Sequence, residues 1–159
     1  MLVIRPTQAL AKRLKVPLGP IAQDSTNALG DWYCQILHTR SKQLILAVSE
    51  PSRLPVVFPA AGDFPFEGRL QAAVGNVLLA LDVPMQIITT EQDKMHPVAY
   101  AKTMSWSVLG TITDYAFLLQ DYLTESNDLM AATLWLAQVP CGPLKGRKAR
   151  DVAVELISR

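Results

Sequence analysis

Arg5, Asp31, Arg40, Lys102, Ser107 and Asp114 are the polar residues whose types and placement could support chemistry, because they stand at or near the ends of expected elements. Cations at strand ends, beside a helix whose first amides lack partners, suit the binding of a phosphate or carboxylate. Arg5 closes the apolar run Leu2-Val3-Ile4, and Lys102 closes Val98-Ala99-Tyr100-Ala101. If those two strands are neighbours, both cations flank the start of the helix that opens at Ser105 or Ser107. That arrangement would serve a small enzyme acting on an anionic or nucleic-acid substrate, with Arg5, Arg40, Lys102, Ser107 and Asp114 as candidate anion-binding residues. The competing reading is structural. A serine caps the helix, and the cations pair with Asp31 or Asp114. Convergence of Arg5, Arg40, Lys102 and Asp114 on one pocket separates the two.

Other common chemistries lack their residues. His38 and His96 are the only histidines and have no partner at ligand spacing. Cys34 and Cys141 are too far apart in sequence to form half of a zinc site or a disulfide framework, so no metal and no cofactor are expected and the reducing cytoplasm is the default. The phosphate cradles G-x-x-x-x-G-K-[ST] and G-x-G-x-x-G are absent, as is the G-x-S-x-G elbow. No leader-like start is seen, and no apolar run approaches the ~20 residues that span a bilayer. No membrane partner is expected.

The element that must position these groups is the helix Ser105–Leu123. Val108, Ile112, Tyr115, Leu119 and Tyr122 recur at steps of three and four, and Leu109, Ala116 and Leu123 widen the stripe into a core-facing surface. The opposite face gathers Gly110, Asp114, Phe117 and Asp121. Phe117 is either covered by another helix of the chain or marks a docking surface, with Gly110 letting a partner come close. Trp32 is likewise either a core anchor or a stacking platform. With no catalytic constellation in view, the leading expectation is a non-catalytic binding or regulatory domain. It would act through a protein partner or self-association, with Trp32, Gly110 and Phe117 as interaction candidates.

This stretch resembles a family of small bacterial proteins of unknown function whose signature runs roughly K-T-x-N-R-S-V-L-G-x-M-N-[DE]-F. Lys102, Thr103, Ser107, Val108, Leu109, Gly110 and Asp114 match it, and Tyr115 replaces the phenylalanine. Ser105-Trp106 stands in place of Asn-Arg, and Ile112-Thr113 in place of Met-Asn. Arg5, Thr7, Asp31-Trp32-Tyr33 and the run Leu136 to Leu144 extend the resemblance over most of the chain. It implies a shared fold and no particular activity.

The remaining elements follow from pattern. Leu2-Val3-Ile4 reads as a strand, and Thr7 caps a helix to Leu14. Leu29–Leu37 fits a helical stripe. Gln43–Ser49 and Leu54–Phe58 read as a hairpin whose second strand, carrying Pro55, belongs at a sheet edge. Asp63 is placed to cap a helix reaching Asp82, on which Gly75 signals close packing. Residues 84–95 read as a helix, with a strand through Ile87-Ile88 as the alternative. Asn127 is placed to cap a helix to Gln138.

The fold class expected is α+β: a mixed or antiparallel sheet of three to five short strands with five or six helices, mainly on one face. At 159 residues and 50% hydrophobic content the chain can bury one sizeable core. Residues 1–144 form the domain, followed at 145–159 by a mobile basic segment and a short helix. Net charge is +1, spread as +4 over residues 1–53, −6 over 54–144 and +3 over 145–159. Lys145, Arg147, Lys148 and Arg150 are the candidate nucleic-acid contacts.

Overall fold

Trp32–His38 (β2) is the central strand of the protein, in a computed structural model that describes residues 1–21 and 23–159. On one side it pairs in parallel with Leu2–Pro6 (β1), which pairs in parallel with Val98–Tyr100 (β5). On the other it runs antiparallel to Gln43–Ser49 (β3), and β3 to the edge strand Pro55–Pro59 (β4). The sheet order is β4-β3-β2-β1-β5, mixed in direction. The helical stripe read over Leu29–Leu37 is therefore overturned. Trp32 and Cys34 point to one core and Tyr33 and Leu37 to the other. A strand apolar on both faces mimics a short buried helix, because it shows no polar alternation. Leu29 belongs to the turn before it.

Among the described residues six α-helices cover the two faces. Gln8–Leu14 (α1), Phe66–Ala80 (α2), Met85–Lys94 (α3) and Ala149–Ile157 (α6) give Leu10, Leu70, Ile88 and Ala153 to the layer that also holds Trp32. Trp106–Tyr122 (α4) and Leu129–Leu136 (α5) cover the other layer with Val108, Ile112, Tyr115, Leu119, Ala132 and Leu136. Residues 85–94 are helical, as the first of the two readings had it. Pro55 does lie on the edge strand.

The caps differ from the expected ones. Asp63 does not cap α2, whose N-cap is Pro65. Asp128, not Asn127, caps α5 and accepts from the Ala131 amide at 3.0 Å. The segment after residue 144 is not a loose tail. Its backbone returns to Cys141, which donates to the Arg147 carbonyl at 3.1 Å, and the Arg150 amide reaches Ala137. Ala149, Ala153 and Ile157 then bury α6 in the main core.

Candidate functional site

Arg5 and Lys102 do meet, because β1 and β5 are neighbours in parallel register with Ile4 opposite Tyr100. The Arg5 guanidinium is already occupied. Its Nε donates to Asp31 Oδ2 at 2.6 Å, and NH1 donates to the Lys102 carbonyl at 2.6 Å. Asp31 accepts from Ser25 Oγ at 2.6 Å, and that hydroxyl also accepts from the Val3 amide. Both side chains of the ion pair are only 13% exposed. Arg5 is thus a latch across the mouths of three strands, and the anion it holds is the protein's own carboxylate. A shallow cleft of about 470 Å³ lies beside it, bounded by the 18–21 loop and residues 101–104.

A different arginine stands at the start of α4. Arg53 NH2 donates to Ser107 Oγ at 2.8 Å, and another of its nitrogens bonds the Glu50 carbonyl. The Tyr115 hydroxyl, on the inner stripe of α4, donates to the Arg53 carbonyl at 2.9 Å. Ser105 caps the helix by accepting from the Val108 amide at 3.2 Å, while its own amide donates to the Tyr33 hydroxyl. Glu50 sits among these charges. Burial, then the nearby Asp31 carboxylate, push its carboxyl above the usual range, against the pull of Arg5 and Arg53. The cluster pins the β3–β4 turn to α4. Arg53 NH1 and NH2 are spent inside it, while the buried Arg53 Nε has no hydrogen-bond partner among the described residues.

Arg40 and Asp114 do not join it. Arg40 lies in the β2–β3 turn and borders a separate cleft with the end of α4. Asp114 is exposed on the outer face of α4, where no hydrogen bond or ion pair holds it among the described residues. The four side chains that an enzyme site would have gathered are scattered. Trp32 is fully buried and offers no surface for stacking or docking. In the basic segment, Arg147 pairs with Glu155 at 2.5 Å and Arg150 with Asp151 at 3.4 Å, leaving Lys145 and Lys148 without a carboxylate among the described residues.

The outer face of α4 is the arrangement with no internal use. Trp106 is 86% exposed and Phe117 is 76% exposed, so no helix of the chain covers them. Eleven residues at ~100° each bring the two side chains to within ~20° of one stripe, about 16 Å apart along the axis. Gly110 lies on that stripe between them. A Cβ there would meet nothing within 4 Å. Gly75 on α2 is the contrast: a Cβ there would crowd the Gln92 side-chain amide, which would have to move. Gly110 therefore weakens α4 by about 1 kcal/mol relative to alanine without any packing reason inside the fold. Asp114 and Asp121 flank the stripe, and α4 contains no lysine or arginine. Met104, just ahead of the helix, is also exposed. Trp106 and Arg53 are the residues that sequence reasoning missed.

Among the described residues no group of histidine, cysteine and carboxylate side chains is placed to hold a metal, and no helix is long and apolar enough to cross a membrane. Cys34 and Cys141 are both buried and unpaired. No curated protein matches the chain. A family model does match, over residues 3–152, and so the chain belongs to the family described as Domain of unknown function (DUF6933).

Proposed function

We propose that this chain is a non-catalytic protein-binding module, and that the outer face of α4 receives a basic amphipathic segment of a partner protein. The observation that carries this is the stripe itself: Trp106 and Phe117 stand as two exposed posts with the open backbone of Gly110 between them. Aromatic side chains with an accessible backbone between them suit an apolar anchor, and the flanking Asp114 and Asp121 suit cations around it. Charge argues for a different protein over a second copy. Two α4 faces apposed about a two-fold axis would bring like carboxylates together. The enzyme reading has less support, since Arg5 is spent on Asp31 and Arg40 lies elsewhere. Two buried, unpaired thiols in opposite core layers are consistent with a cytoplasmic protein.

The test is a titration followed by tryptophan emission, with a helical Leu/Lys peptide and its Leu/Glu counterpart as probes. Trp32 is fully buried and Trp135 lies partly exposed against Tyr122, so the titration uses a Trp135→Phe background, in which a response on binding reports chiefly on Trp106. We expect a saturable response to the Leu/Lys peptide that weakens with salt. Phe117→Ser should weaken binding about thirtyfold, the equivalent of ~2 kcal/mol for a central aromatic. An equal response to the Leu/Glu peptide, or no effect of Phe117→Ser, would contradict the reading. So would a sedimentation mass of twice 17.5 kDa that Phe117→Ser restores to one, which would assign the face to a second copy.

A further inference from the structure

A cleft of about 700 Å³ opens on the α4–α5 side of the sheet, between the β2–β3 turn and the junction of α4 with α5. Leu44, Leu123 and Leu129 contribute its apolar part. Arg40 and Lys42 border it from the turn, exposed, and neither forms an ion pair among the described residues. The turn that carries them is closed independently of their side chains. Thr39 donates through both its amide and its hydroxyl to the Lys42 carbonyl, at 2.8 and 2.9 Å. Across the cleft, Asn127 is free of the capping role that Asp128 has taken.

We propose that this cleft binds a small organic anion, an apolar body carrying a phosphate or carboxylate head. Its size is that of a small-molecule site, and its lining sets a patch of three leucines within a rim that is otherwise polar and carries two cations. The leucines would take the body. The Arg40 guanidinium, a planar fork, and the Lys42 ammonium would take the head. The Asn127 amide supplies a further donor. Arg40 and Lys42 also complement the carbonyl end of α4, but that role needs neither the leucines nor an unpaired amide. Trp106, Gly110 and Phe117 do not line this cleft, although Gln120, which does, lies three positions beyond Phe117 on α4.

Calorimetric titration tests it, with phenyl phosphate and benzoate as probes and with phenol and inorganic phosphate as controls. Phenyl phosphate, benzoate or both should bind saturably, and the tighter of the two names the head group. Phenol, without a head, and inorganic phosphate, without a body, should each bind at least about tenfold more weakly. The double variant Arg40→Gln/Lys42→Gln should weaken binding about tenfold or more, as expected from losing charge-assisted hydrogen bonds. Its amide NMR spectrum should keep native dispersion, since both side chains are exposed on a turn closed by Thr39. Amide shifts on binding should fall in residues 38–44 and 120–129, and Phe117→Ser should leave the affinity unchanged. Saturable binding absent for both probes, equal affinity for either control, no loss in the double variant, or shifts located elsewhere would each overturn the proposal.

Discussion

Gly110→Ala is expected to make the protein more stable while making its outer face less able to accept a partner. Gly110 lies inside α4, its φ is not in the left-handed region, and an added methyl would meet nothing within 4 Å. The substitution should therefore give the full difference in helix propensity, about 1 kcal/mol, with part of it coming from reduced freedom of the unfolded chain. For a domain of this size that raises the melting temperature by about 2–4 °C. Gly75→Ala is the internal control. It has the same propensity gain, but its methyl would crowd Gln92 Nε2, whose hydrogen bond to the Gln71 carbonyl at 3.0 Å would be displaced. Losing that bond and disturbing the α2–α3 contact should outweigh the gain by about 1 kcal/mol or more. Urea denaturation followed by circular dichroism measures both, with the slope checked for constancy. A stability loss in Gly110→Ala would show that this face is packed within the fold. A gain in Gly75→Ala equal to that in Gly110→Ala would show that the contrast between the two glycines is false.

Three further substitutions test other parts of the account. Ile112→Asp places an unpaired carboxylate on the fully buried inner stripe of α4 and should prevent folding; a soluble variant with unchanged melting would refute that face assignment. Glu91 accepts from the Ala28 and Leu29 amides and from Asn27 Nδ2, at 2.8, 3.0 and 3.2 Å, so Glu91→Ala should cost about 3 kcal/mol by orphaning those donors; a cost below about 1 kcal/mol in urea denaturation would refute it. Glu50→Gln should be stabilising at neutral pH, because the native carboxyl titrates above the ordinary value of 4.5. Below that value both folded and unfolded chains hold the proton, and the variant has no advantage. As pH rises through the window above it, the unfolded chain loses the proton first, so wild-type stability falls relative to the variant. Denaturation midpoints at pH 4 and pH 7 that diverge in the opposite sense would refute the assignment.

The long helix and the hairpin were legible in the sequence because local signals agree there, whereas the meeting of Arg5 with the Lys102 carbonyl depends on β1 and β5 being neighbours, which only the sheet order shows. Val108, Ile112, Tyr115 and Leu119 repeat at helical spacing, and Gln43–Ser49 is an apolar run followed by turn residues. The central strand was misread because sheet faces covered by helices on both sides remove the alternation that marks a strand. No local signal in the sequence separates Arg40 from Arg5. The length of β2 beyond the end of β1 carries its turn away from Arg5, and only the pairing of Pro6 with Cys34 reveals that overhang. Trp106 joins the Phe117 stripe only once Ser105, not Ser107, is the cap, because Trp106 is then the first residue of the helix. Arg53 was hidden because it reaches Ser107 across 54 positions of sequence.

The central claim is that the outer face of α4 is a docking surface for a basic amphipathic partner. Amide NMR of the labelled protein during titration with the Leu/Lys peptide tests it most directly, because every residue except proline reports its own position. Saturable shifts are expected between Met104 and Asp121, largest near Trp106, Gly110 and Phe117, and lost in the Trp106→Ser/Phe117→Ser double variant with its native spectrum retained. Shifts centred on any other surface, or an unchanged footprint in the double variant, would contradict it.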